Sequence, residues 1–154
     1  MSVITNNGRS AIEERERRGG DVEDHRARGS RRTKVSPALA QRLAALPSRD
    51  RAIVELTMNS KLTRAEIARA LDIAPGQVSR RLRVLYQRLH DPLVVTLFDR
   101  ACPLPSEHRQ LGIEHFLLGL TVNQLADKHQ MRWSAVHAAL TYVRGWHKGA
   151  TGGK

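Results

Sequence analysis

The sequence predicts an all-α fold, and three observations carry that prediction. Apolar residues recur at helical spacing through most of residues 36–148. Hydroxyl and proline start signals stand in front of those stretches. The pattern also occurs twice, the copies offset by 58 positions.

Each element has a local reason. Ser36-Pro37 sets a hydroxyl cap before a proline at the first helical position, and Leu39, Leu43 and Leu46 follow at helical spacing. Pro47 ends that helix. Ser48 is placed to cap the next, which carries Ile53 and Leu56 and breaks at Asn59-Ser60. Thr63 and Glu66 have capping-box spacing at the start of a short helix that buries Ile67, Ala68 and Leu71. Asp72-Ile73-Ala74 reads as a turn, and Pro75 opens a long helix reaching Leu89.

Shifting numbers by 58 brings Leu46-Pro47-Ser48 onto Leu104-Pro105-Ser106, Arg51 onto Arg109 and Leu62-Thr63 onto Leu120-Thr121. Ala68, Val78 and Leu82 fall on Ala126, Val136 and Leu140. Ile53, Ile67, Ile73 and Leu85 fall on Leu111, Leu125, Met131 and Val143. These are positions that a tri-helical unit buries or caps, and two copies are too few for a solenoid. The expected organisation is an arm over residues 1–35, a first module over 36–92, a linker over 93–103, a second and degenerate module over 104–148, and a tail over 149–154. The apolar stretch Leu93 to Phe98 in the linker is expected to pack between the modules.

Charge narrows the function classes. The 154 residues carry a formal net charge of +11, and the pI is about 11.1. A balance this basic implies a polyanionic partner. Residues 37–90 hold ten Lys/Arg against four Asp/Glu, the most basic third of the chain. Residues 1–35 read as a disordered basic arm, too poor in apolar surface to offset the entropy of ordering. Its bases Arg26, Arg28, Arg31, Arg32 and Lys34 suit phosphates or a minor groove, or else simply solvate a tail. An aromatic content of 4% argues against a sheet that stacks single-stranded bases. A single cysteine, Cys102, allows neither an internal disulfide nor a cysteine zinc cage, and nothing in its sequence surroundings lowers its pKa. No apolar run is long enough to span a bilayer, and Met1 to Gly20 lacks a signal-type stretch, so the expectation is a soluble cytoplasmic protein.

On a helix from Pro75 to Leu89, Val78, Leu82, Leu85 and Leu89 share one stripe. Gly76, Arg80, Arg83 and Gln87 occupy the opposite face, flanked by Gln77 and Ser79. Short helix, turn and arginine-bearing helix together read as a helix-turn-helix whose second helix enters the major groove. Arginine pairs bidentately with guanine and glutamine with adenine. Gly76 permits close backbone approach. Lys61, Thr63 and Arg64, around the start of the short helix, are placed for phosphate contacts that set register. The corresponding face of the second copy carries Ser134, Ala138, Thr141 and Gly145, with Ala135 and His137 beside them, and is a poor DNA anchor. It suits protein contact, including homodimerisation through residues 104–148. Trp133 and Trp146 are expected to fill core, with a role as interface anchors the alternative.

LPSRDRAIVEL…LTRAEIARALDIAPGQVSRRLRVLYQRL resembles region 4 of bacterial sigma factors. The leucine-proline opening, the spacing to the capping threonine, the glutamate-isoleucine-alanine core and the valine-x-x-arginine-leucine helix carry the likeness. It implies a reader of the promoter −35 element, with Gln77, Ser79, Arg80 and Arg83 as base or phosphate readers and Arg64 as a phosphate contact. The family commonly has glycine where Asp72 stands and serine or threonine where Ala74 stands. Sigma factors also carry an upstream domain that binds core polymerase, which residues 1–36 do not resemble, so a self-sufficient sigma factor is not expected.

The expected function is sequence-specific double-stranded DNA binding in transcription regulation, on the nucleoid. The alternatives are an auxiliary or antagonist of RNA polymerase using the sigma-like surface, and a nonspecific architectural DNA binder. No catalytic residue, cofactor or metal is expected: His108, His115, His129 and His137 lack compact ligand spacing, and no phosphate-binding glycine loop is present.

Overall fold

The computed structural model describes residues 35–152. The expected arm, with Arg26, Arg28, Arg31, Arg32 and Lys34, therefore lies outside the described residues except for Val35. Among the described residues there are eight α-helices, one π-helical turn and no strand.

Helix α1 (Pro37–Ala44) begins as its sequence dictates, with the Ser36 hydroxyl accepting from the Leu39 amide at 3.2 Å. Helix α2 (Ser48–Asn59) differs from expectation at its start. Ser48 is the first helical residue and makes no cap; Pro47 occupies the cap position. The physical reason is that proline's fixed φ already supplies the extended backbone a cap needs, and its carbonyl takes the Arg51 amide at 2.9 Å. Helix α3 (Arg64–Ala70) opens on a complete capping box: Thr63 accepts from the Glu66 amide at 3.3 Å, and the Glu66 carboxylate accepts from the Thr63 amide at 2.6 Å. Helix α4 (Pro75–Leu89) is the longest element of this half.

These helices close around Ile53, Val54, Ile67, Ala68, Val78, Leu82, Leu85 and Leu89, all buried. Burying each large aliphatic contributes on the order of 1.5–3 kcal/mol before entropy is counted. Helix α1 lies on α4, where buried Arg42 donates to the Leu89 carbonyl and satisfies an orphan acceptor of the last turn.

The stretch expected to be a linker forms a helix, α5 (Pro92–Leu97), capped by Asp91, whose carboxylate accepts from the Leu93 amide at 2.8 Å. Its Val94 is buried with the first core and its Leu97 with Leu104 and Val143 of the following half. Sequence reading had the apolar stretch packing between the two halves; its helical form comes from the Asp91-Pro92 start signal.

The second half repeats the plan with α6 (Ser106–Gly112), a π-helical turn (Ile113–Leu117), α7 (Val122–His129) and α8 (Trp133–Thr151). Thr121 and Gln124 rebuild the capping box of Thr63 and Glu66. Leu111, Leu125, Val136 and Leu140 rebuild the core. Helix α8 continues past residue 148, where the tail was expected to begin.

Two polar devices tie this half together. Glu114, buried in the π-helical turn, accepts from Lys128 at 2.8 Å and from Gln110 at 3.3 Å, and lies 2.7 Å from His129 Nε2. The equivalent residues of the first half, Leu56, Ala70, Ala52 and Leu71, are apolar, so the charged clasp has no counterpart there. Gly119 has φ +79, and a Cβ there would lie 2.4 Å from Arg88 Nη1, which donates to the Leu118 carbonyl at 3.2 Å. Only glycine lets the arginine of α4 lie across this turn.

Burial alone would raise the pKa of Glu114, but the hydrogen bonds from Lys128, His129 and Gln110 outweigh it and hold the carboxyl below its ordinary value of 4.5. A depressed carboxylate stabilises the fold above its unfolded pKa and loses that contribution as pH falls through the folded one. Thermal unfolding followed by circular dichroism should therefore show melting temperature falling as pH drops below the ordinary glutamate range. Glu114→Gln should flatten that fall while costing about 1–3 kcal/mol at neutral pH, because the Lys128 charge loses its partner.

Candidate nucleic-acid interface

The turn between α3 and α4 is a Schellman closure. The Ile73 amide reaches back to the Ala68 carbonyl at 2.9 Å, the Asp72 amide reaches Arg69 at 3.3 Å, and Asp72 takes the left-handed φ of 51°. The same closure recurs 58 positions on: Met131 reaches Ala126 at 2.9 Å, and Gln130 has φ 53°. Ala68 and Ala126, both buried, keep the crossing helices close. Ile73 and Met131 pack on their respective cores beside it.

That closure aims α4. Val78, Leu82, Leu85 and Leu89 are buried on its underside, and Gly76, Gln77, Arg80, Arg83 and Gln87 are exposed. Neither Arg80 nor Arg83 has a carboxylate partner among the described residues. Arg80 Nε reaches only the Gly76 carbonyl, at 3.4 Å. Beside the ridge, Arg64 at the start of α3 is exposed and donates to the half-buried Ser79 hydroxyl at a long 3.4 Å. Lys61 is exposed just before it. On the α3–α4 pair and just before it, the structure joins Arg64 to Ser79 and leaves Lys61, Gly76, Gln77, Arg80, Arg83 and Gln87 exposed. Thr63 is there too, but its hydroxyl donates to Glu66 at 2.7 Å and accepts the Glu66 amide, which leaves it no hydrogen for a phosphate oxygen. The Thr63 amide, and after it the Thr63 hydroxyl, donate to the Glu66 carboxylate and hold it below its ordinary pKa.

Arg81 was not singled out by its sequence. It binds buried Asp50 through Nε and, at 3.1 Å, through Nη2, tying α4 to the first turn of α2. The hydrogen bonds it donates to Asp50 raise the guanidinium pKa. Only the fold puts residues 31 positions apart in register. The counterpart of Asp50 is His108, whose ring lies 5.3 Å from that of Tyr142.

On α8 the equivalent face is exposed and nearly uncharged: Ser134, Ala135, His137, Ala138, Thr141 and Gly145. Val122 stands where Arg64 does, and Ala138 and Thr141 where Arg80 and Arg83 do. The core role expected for Trp133 is not observed. The ring is 53% exposed and stacks on His137 at 4.9 Å and 14°, because it occupies the first residue of α8, at the rim of the buried stripe. Trp146 does pack against the core formed by Leu97, Leu104 and Val143.

Residues 36–88 match the family model described as Sigma-70, region 4. This matched stretch runs from the cap of α1 to the penultimate residue of α4, so the similarity covers the closure and the arginine ridge and does not extend to the second half. No curated protein and no solved structure matches the chain.

Asp72 holds a left-handed φ of 51°, a conformation that glycine adopts freely and aspartate tolerates better than most side chains. Asp72→Val, which forces a β-branched side chain into that conformation, should cost about 1–2 kcal/mol in denaturant unfolding. Asp72→Gly should be tolerated.

Proposed function

We propose that the chain is a sequence-specific double-stranded DNA-binding transcription regulator that lays α4 in the major groove. One observation carries this reading: a helix clamped by four buried aliphatics presents Arg80 and Arg83 outward, with no carboxylate partner among the described residues, inside the segment that matches sigma-70 region 4. Two unneutralised guanidinia side by side repel each other, and a polyanion removes that cost. In this reading Gln77, Arg80, Arg83 and Gln87 address base edges, Ser79 and Gly76 let the backbone approach, and Lys61 and Arg64 hold phosphates. Thr63 acts through the cap. Such a protein works at the nucleoid.

The α8 face favours a second role for the other half. An exposed tryptophan and tyrosine beside small uncharged residues suit protein contact, with RNA polymerase or a second copy as the occupant. Among the described residues no helix is long and apolar enough to cross a membrane.

Selection of binding sites from random duplexes should return a defined motif. Arg80→Ala with Arg83→Ala should lower affinity for it by about 1–3 kcal/mol per lost bidentate contact and relax preference at the positions read, with the melting temperature unchanged. Lys61→Ala should weaken all duplexes alike and reduce the salt slope by about one unit. Undiminished, equally selective binding by the double variant overturns the assignment of α4.

A further inference from the structure

Beside the ridge, between α2 and α4, runs an open groove of about 590 Å³ that shares Gln77 and Arg80 with the proposed DNA-reading face and is otherwise lined by residues that face does not use. Its size falls within the roughly 300–1,000 Å³ typical of small-ligand sites. Arg49 in the first turn of α2 and Arg80, Arg81 and Arg88 along α4 line it. Asp50 is the one carboxylate among the lining residues, and Arg81 already occupies it. The other guanidinia are held by single backbone contacts: Arg49 to the Leu71 carbonyl at 3.4 Å, Arg80 to Gly76 at 3.4 Å and Arg88 to Leu118 at 3.2 Å. Each guanidinium has five N–H donors, so most remain free to point into the groove.

The groove is not purely cationic. Val84, 41% exposed, sits one turn from both Arg81 and Arg88, and Leu118 lines the groove from the other half of the chain. An exposed aliphatic strip among arginines adds nothing to the binding of phosphate and fits the face of a flat ring. The Leu118–Gly119 turn, pinned by Arg88, also gives the groove a wall contributed by the second half, which suits a compact ligand better than a continuous strand.

We propose that this groove binds a nucleoside polyphosphate, its phosphates on Arg49 and Arg80 and its base on the Val84–Leu118 strip, and that occupancy draws Arg80 away from DNA. The second clause rests on the reading of α4 given above; the first stands without it.

ATP without magnesium, titrated into the full chain by equilibrium dialysis at fixed ionic strength, should bind saturably at one site. Arg49→Ala and Val84→Asp should each weaken it by about tenfold or more. Arg132→Ala, an exposed base at the start of α8, should not. Tripolyphosphate should bind more weakly than ATP. Absence of saturable binding, an equal loss in Arg132→Ala, or tripolyphosphate as strong as ATP would overturn the site. If Arg49→Ala weakens duplex DNA while ATP does not bind, the groove serves the phosphodiester backbone and the proposal is wrong. ATP should also displace the selected duplex; ATP binding without displacement overturns the competition alone. Because dialysis uses no DNA, failure of the α4 reading leaves the test of the groove intact.

Discussion

The burial of one stripe of α4 fixes almost everything else about this protein. Val78, Leu82, Leu85 and Leu89 are covered by α1, α2 and α3, with Val94 of α5 and Leu117 of the π-helical turn closing the same core, and Ala68 at the crossing lets α3 come close. Once that stripe is down, the helix has no rotational freedom left. Its polar residues are assigned to directions by the roughly 100° step between successive positions. The arginine ridge is outward because hydrocarbon is inward, and the left-handed closure at Asp72 decides the angle at which α3 releases the chain into it.

The second half shows what in this plan is frame and what is surface. Caps, closure and buried aliphatics are kept at the same offset, down to φ angles of 51° and 53° at the two closures. The outward face has lost its charges, and contacts behind it have been rewritten. Where the first half has Leu56, Ala70 and Leu71, Glu114 meets Lys128 and His129. Where Asp50 binds Arg81, His108 lies against Tyr142. A buried carboxylate with three partners is a weak source of net stability but costly to break, so the clasp favours one register of α6 and its π-helical turn against α7. The frame tolerates such exchanges because the turn geometry belongs to the backbone.

What sequence could show was what is local. The Thr63–Glu66 box, the Pro37 and Pro75 starts and the α4 stripe are written within a few residues each, and the 58-residue repeat carries the same signals into the second half. Ser48 misled because a serine after a proline resembles a cap, although the proline itself already holds the cap conformation. Trp133 misled because size suggests burial, whereas a first-turn position on the rim leaves a ring outside. The Arg81–Asp50 pair, the Glu114 clasp and the groove lined by Arg49 and Arg88 were invisible, since each joins residues from separate helices whose register only packing sets.

Helical geometry gives Arg80 a particular place. Viewed down α4, Gly76, Arg83 and Gln87 lie within about 60° on one side of it, and Gln77, Val84, Arg88 and Arg81 within about 100° on the other. The first set is the outward ridge and the second lines the groove against α2, so Arg80 stands on the boundary between two surfaces. A guanidinium is a planar fork that satisfies one bidentate acceptor at a time. Two polyanionic ligands on adjacent faces would each have reason to claim it, and the one bound would leave the other with a weaker, less selective surface. That exclusion is the competition proposed above, and it rests on Arg80 serving both faces. It makes α4 a place where occupancy of one face is reported to the other without any movement of the backbone.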